Sequence, residues 1–89
     1  MRHVRIVVRG RVQGVFFRAS FADLARRLDL GGWVTNRPDG AVEAVVSGSD
    51  EAVAQAIAWC RRGPELASVD SVEISEEPGT LREHGFRVS

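Results

Sequence analysis

The spacing of the hydrophobic residues changes near the start of the chain, and this change limits the folds that the chain can adopt. Every second residue from Val4 to Val8 is apolar, and two of the three residues that alternate with them up to Arg9 are arginines, which is typical of a strand with one half-buried face. Apolar residues then recur every three or four positions from Arg18 to about Asp29, which predicts an amphipathic helix. The segment between them carries Gly10 and Gly14. The chain therefore begins as a strand, a glycine-bearing loop and a helix.

The remaining sequence predicts a hairpin, a second helix and two further strands. Gly31-Gly32 is expected to end the first helix, and a second strand then leads to Asn36. The turn at 37–40 joins it to a third strand over 41–47. A helix is expected between the cap at Ser49 and Gly63-Pro64. A fourth strand over 69–76, a turn at Pro78-Gly79 and a short strand over 85–88 complete the chain.

This order predicts an α+β fold of the ferredoxin-like kind. The elements read β-α-β-β-α-β with one short strand added at the end. Such an order suits a sandwich in which two helices cover one face of a mainly antiparallel sheet. The fourth strand is less regular, because Val69 is predicted on one face and Val72 and Ile74 on the other. We expect a single domain over residues 1–89, acting as a monomer.

Charge and cysteine content exclude several classes of partner and site. Twelve arginines and twelve acidic residues give a net charge of zero, which argues against non-specific binding to nucleic acid or membrane surfaces. Cys60 is the only cysteine, so the chain has no intrachain disulfide and no Cys-x-x-Cys site. Arg5 and Arg9 interrupt the longest apolar stretches, and no signal peptide is recognisable. We expect a cytoplasmic enzyme or binding module.

The loop before the first helix is a candidate anion site. The first N–H groups of a helix have no partner within it, and glycine lets a loop bring its backbone close to a ligand. Arg18 places a cation at the positive end of the helix, which is unfavourable unless an anion lies between them. A bound phosphate or carboxylate would remove this conflict. The competing interpretation is a surface arginine paired with Asp23.

Element lengths predict that Asn36 lies beside this loop. A helix of twelve residues runs back along the sheet for about 18 Å. The return strand from Gly31 to Asn36 covers about 20 Å, so the two lengths nearly cancel. Asn36 should therefore reach the edge of the sheet that carries Arg18. Taken alone, Asn36 could equally be a turn residue leading into Pro38-Asp39-Gly40.

Two motifs over residues 10–48 resemble the signatures of the acylphosphatase family. The first is Gly10-x-Val12-Gln13-Gly14-Val15-x-Phe17-Arg18. The second is Gly32-Trp33-Val34-Thr35-Asn36, followed at the family's spacing by Gly40-x-Val42 and Gly48. Thr35 departs from the residues that the family more often has there, but it should point away from the face of Asn36.

The resemblance implies hydrolysis of small-molecule acyl phosphates to a carboxylate and inorganic phosphate, without a metal or organic cofactor. It implies that Arg18 binds the phosphate and that Asn36 positions the attacking water. It also implies that backbone amides hold the phosphoryl oxygens, those of Gln13, Gly14, Val15, Phe16, Phe17 and Arg18. Acetyl, carbamoyl and benzoyl phosphate and 1,3-bisphosphoglycerate are among the substrates that the family implies.

Two other functions share parts of this pattern. An RNA-recognition module has the same element order but needs exposed aromatic residues on its central strands, and the third strand has none. An acylphosphatase-like domain can also form part of a larger carbamoyl-transfer protein, with carbamoyl phosphate as substrate. Because the chain begins at Met1 and ends just after its last strand, we expect a free-standing enzyme.

Overall fold

The fold is a β-sheet covered by helices. The structure is a computed structural model and describes residues 1–77 and 85–89. In chain order its elements are β1 (Arg2–Arg11), α1 (Phe17–Arg27), β2 (Gly31–Asn36), β3 (Val42–Gly48), α2 (Asp50–Arg62), β4 (Ser68–Glu76) and β5 (Phe86–Val88). The turn predicted at Pro78-Gly79 lies outside the described residues.

The sheet has the strand order β4-β1-β3-β2-β5. β1 pairs antiparallel with β3 and β4, and β2 pairs antiparallel with β3. The short strand β5 is the exception, because it lies parallel to β2 at the edge of the sheet. The predicted ferredoxin-like α+β sandwich is confirmed, with β5 extending its mainly antiparallel sheet.

Both helices pack on one face of the sheet, and the core lies between them and the strands. Val4, Ile6 and Val8 of β1 are buried there, as their alternation predicts. The ring of Phe21 on α1 lies 5.8 Å from Trp59 on α2 and 5.6 Å from Phe86 on β5, measured between centroids. This aromatic cluster ties the last strand to both helices.

The first helix ends differently from the prediction. Its last residue is Arg27, and Asp29 adopts a left-handed conformation with φ 57°. The N–H of Asp29 donates to the carbonyl of Arg26, and that of Leu30 donates to the carbonyl of Ala25. These two bonds form a Schellman motif with Asp29 in the place that glycine usually takes. The predicted helix stop at Gly31-Gly32 was therefore wrong.

Those two glycines belong to β2 instead. Gly32 pairs with Val46 of β3 and adopts φ 131°. A Cβ atom at this position would lie 1.8 Å from the carbonyl oxygen of Val45. Contact with the neighbouring strand, rather than the end of the helix, therefore requires glycine here.

The faces predicted for β4 were also wrong in one respect. Ser71 pairs with Arg9, but the next residue of β1, Gly10, pairs with Val69, so Asp70 is an extra residue on β4. This bulge turns Val69 to the same face as Val72 and Ile74, and all three side chains pack against the core.

Candidate active site

The loop between β1 and α1 has two residues with left-handed backbone conformation. Gly14 has φ 74°, and Phe16, at the N-cap of α1, has φ 64° and ψ 21°. This conformation costs about 1–2 kcal/mol for a residue with a Cβ atom, and a bulky residue rarely adopts it. The Phe16 side chain gives the helix no capping hydrogen bond.

The backbone N–H groups of this loop are available to a ligand. Within residues 1–77 and 85–89, no protein acceptor takes a hydrogen bond from the N–H groups of residues 13–18. The first turn of α1 also contains no acidic residue. The positive end of the helix is therefore unbalanced by a side chain.

A cavity of about 290 Å³ opens beside this loop. Its lining residues are Val12, Gly14, Phe16, Phe17, Arg18, Ala19, Asn36 and Val88. Arg18 and Asn36 thus lie at the same edge of the sheet, as the element lengths predict. Val12, Ala19 and Val88 are further lining residues that the sequence did not single out.

Two of the predicted site residues do not line this cavity. Val15 is buried in the core. The Gln13 side chain points toward the β2–β3 turn, where its Nε2 donates to the carbonyls of Arg37 (2.8 Å) and Ala41 (2.9 Å). The backbone N–H of each has no acceptor within the described part of the chain, so their predicted backbone role stays a prediction.

The Arg18 guanidinium pairs with no Asp or Glu side chain among the described residues. Its Nη1 atom donates to the main-chain oxygen of Ser89 at 2.8 Å. Asp23 pairs with Arg27 at 3.3 Å, so the Arg18–Asp23 pair considered from the sequence is not formed. A cation at the positive end of a helix with no Asp or Glu side chain paired to it favours a bound anion.

Asn36 ends β2 and is the second polar side chain of the cavity. Its Oδ1 atom is buried and has no hydrogen-bond partner within the described part of the chain. A buried amide oxygen normally has a partner, often an ordered water. The position therefore suits a residue that holds a water molecule next to an anion.

Unpaired amides, a guanidinium and a carboxamide can together bind a phosphoryl group and orient a water. The described residues contain no group of three or more His, Cys, Asp or Glu that could hold a metal ion. In the same residues no helix is long and apolar enough to cross a membrane.

Comparison with known proteins identifies the family. The family model described as Acylphosphatase matches residues 4–88. An acylphosphatase of Thiobacillus denitrificans is 54% identical over 79 residues, which cover 89% of each chain. The chain belongs to the acylphosphatase family. It is an enzyme that hydrolyses acyl phosphates.

Solved structures of this family share the whole fold. The acylphosphatase of Bacillus subtilis matches with a TM-score of 0.96 and 34% identity, over 100% of this chain and 99% of that one. HypF from T. kodakarensis matches with a TM-score of 0.85 and 32% identity, but the match covers only 12% of that chain. The acylphosphatase fold thus occurs both as most of a chain and as a small part of a longer one.

Proposed function

We propose that Arg18 and the N–H groups of residues 13–18 hold the phosphoryl group and that Asn36 orients the attacking water. The observation that carries this proposal is the common cavity. Within the described residues, its guanidinium pairs with no Asp or Glu side chain and its buried amide oxygen has no hydrogen-bond partner. The planar fork of arginine suits two phosphoryl oxygens at once. Backbone N–H groups add dipoles that need no reorganisation during the reaction.

The reaction needs little help with its leaving group. The water oxygen forms a bond to phosphorus while the bond from phosphorus to the acyl oxygen breaks, which releases a carboxylate and inorganic phosphate. The conjugate acid of that carboxylate has a pKa of about 4, so it leaves without a general acid. The site therefore acts by positioning its reactants and by stabilising charge on the equatorial oxygens.

The water proton must go to the substrate. Asn36 does not titrate near neutral pH, but it can accept one hydrogen bond from water and donate another. We therefore assign the role of proton acceptor to the phosphate of the substrate. Both water protons then end on the phosphate product, and no cofactor or metal takes part.

Arg18 gives the direct test of this assignment. Arg18→Ala should lower kcat for benzoyl phosphate by about 10²–10³ and weaken binding, because a donor aimed at the developing charge is lost. Arg18→Lys should fail nearly as badly, since a point charge cannot form the fork. Phosphate release in the presence of EDTA is the measurement, and EDTA should leave the wild-type rate unchanged.

Arg62→Ala is the matched control, because Arg62 is an exposed arginine at the end of α2 that does not line the cavity. It should keep the wild-type rate. Full turnover by Arg18→Ala would overturn the site assignment, and inhibition by EDTA would overturn the metal-free mechanism.

We further propose that the chain acts as a single monomeric domain in the cytoplasm, on a small molecule and not on nucleic acid. One continuous core includes residues of both helices and of β1, β2, β3 and β5, which supports a single domain. The only cysteine, Cys60, is buried, and burial raises the pKa of its thiol to about 12. This thiol is therefore poorly suited to form a disulfide between two copies of the chain, which supports a monomer. Sedimentation analysis and cell fractionation test these assignments.

A further inference from the structure

The rim of the cavity contains an aromatic side chain that packing does not explain. Phe16 is 73% exposed, although it is one of the largest apolar residues in the chain. It also adopts the left-handed conformation that bulky residues avoid. Strained residues of this kind persist where the surrounding structure holds them, and they cluster at ligand sites.

A second exposed apolar residue lies on the same cavity. Val88, on β5, is 44% exposed and lines the cavity together with Phe16. Only four large hydrophobic residues are strongly exposed in the described chain, the others being Met1 and Leu66. Two of the four therefore border one small cavity, whereas scattered exposure would place them apart.

The cavity thus has a polar inner part and an apolar rim. Asn36 Oδ1 is buried, and Arg18 is half-buried, so the polar groups lie deeper than the rings and methyl groups of the rim. A ligand that satisfies both parts has an anionic group at one end and an apolar group at the other. An acyl phosphate with a hydrocarbon acyl group has this form.

We propose that Phe16 and Val88 form a subsite for the acyl group and make the enzyme favour apolar, above all aromatic, acyl phosphates over small ones. The proposal rests on the assignment of the phosphoryl group to Arg18 and the loop amides. With the phosphoryl group held there, the acyl group must leave the cavity past the rim. An aromatic ring on Phe16 would remove apolar surface of both partners from water.

The test compares kcat/KM for benzoyl phosphate and acetyl phosphate in the same enzyme. Phe16→Asn removes the ring and keeps the loop, because asparagine tolerates left-handed conformation. It should lower the ratio of benzoyl to acetyl kcat/KM about tenfold, because only the larger acyl group reaches the ring of Phe16. Val88→Thr, which keeps the shape of the side chain, should lower the same ratio about threefold.

Leu66→Asn is the matched control, because Leu66 is 63% exposed and does not line the cavity. Its ratio should equal that of the wild type. A ratio within twofold of the wild-type value in both rim variants overturns the subsite. Equal losses for both substrates in Phe16→Asn also overturn it, since Phe16 would then only shape the loop.

Two further measurements are needed to interpret these ratios, the folding of Phe16→Asn and the activity of Arg18→Ala. If circular dichroism finds Phe16→Asn unfolded, Val88→Thr alone decides, and an unchanged ratio overturns the proposal. Arg18→Ala tests the phosphoryl site separately from the acyl subsite, because this variant should lose activity on both substrates. An active Arg18→Ala enzyme contradicts the phosphoryl site, whereas an inactive one with unchanged ratios in the rim variants contradicts only the acyl subsite.

Discussion

Arg18 is oriented by one hydrogen bond that leaves most of its donors free. Its Nη1 atom donates to the main-chain oxygen of Ser89, and among the described residues it pairs with no Asp or Glu side chain. A guanidinium has five N–H donors, so the others stay available to phosphoryl oxygens. The contact with Ser89 therefore positions the arginine beside the cavity while its remaining N–H groups can bind an anion.

Replacing Asn36 by Asp tests whether this residue orients water or acts as a base. Asn36→Asp should lower kcat/KM by about 10²–10³, because a carboxylate loses the amide donor and repels the phosphoryl group. The measurement is kcat/KM for benzoyl phosphate between pH 4 and 8. A faster variant whose rate rises with the ionisation of a carboxylate would contradict the assignment of the substrate as proton acceptor.

The loop and the β2–β3 turn are joined by one side chain. Gln13 Nε2 donates to the carbonyls of Arg37 and Ala41, and the N–H of Arg37 also donates to Ala41. Asn36 immediately precedes this turn, while Gln13 lies in the loop that begins α1. Gln13 therefore links the two segments that carry the site.

Gln13→Glu should break this link, because a carboxylate oxygen would face two carbonyl oxygens. The loss of two hydrogen bonds should lower the free energy of unfolding by about 1–3 kcal/mol. For a domain of this size each kcal/mol lowers the melting temperature by about 4–8 °C. Thermal unfolding followed by circular dichroism measures the effect, and kcat/KM should fall as the loop and Asn36 separate. A wild-type melting temperature in Gln13→Glu would contradict the role of this link.

Local patterns in the sequence predicted most elements but not those determined by distant contacts. The change of spacing around Gly14 located β1 and α1, and Ser49 does cap α2, accepting a hydrogen bond from the N–H of Ala52. The bulge at Asp70 depends on pairing with β1, about sixty residues earlier in the chain, and leaves no local signature. The glycine requirement at Gly32 likewise comes from β3.

The same distinction applies to the cavity. The sequence predicted that Arg18 and Asn36 lie close together, because the lengths of the helix and the strand between them can be estimated from the sequence. Val88 could not, because its place depends on the parallel pairing of a three-residue strand with β2. The sequence also could not predict that Phe16 is exposed, because its neighbour Phe17 has the same side chain and is buried.

The sheet face that carries no helix is covered by charged side chains. Val7 and Val45 are buried on this face, and Arg5 lies over the ring of Trp33 at 5.9 Å. Arginines and acidic residues of four segments form a connected set of ion pairs around them. The pairs are Arg5–Glu43, Arg5–Glu77, Arg9–Glu73, Arg9–Asp39, Arg37–Asp39 and, joining the two groups, Arg37–Glu43 at 4.0 Å. The aliphatic parts of the arginine side chains thus cover this face, which no layer of helices or strands covers.

Asp39 makes this network sensitive to acid. The hydrogen bond from the N–H of Ala41 and the side-chain bond from Arg9 hold the pKa of the Asp39 carboxyl below its usual value. Because the pKa is lower in the folded protein, the carboxylate stabilises the fold above its unfolded pKa. That contribution is lost as the pH falls through the folded pKa.

Asp39→Asn should therefore lower the melting temperature at pH 7, and the difference from the wild type should shrink below about pH 4. Asparagine keeps an oxygen for the N–H of Ala41, so the variant isolates the effect of the charge. Asp23→Asn, which removes only an exposed i,i+4 pair with Arg27, is the control and should have a smaller effect at pH 7. Thermal unfolding at pH 7 and pH 3 is the measurement. A difference between Asp39→Asn and the wild type that is the same at both pH values would mean that the charge of Asp39 does not stabilise the network.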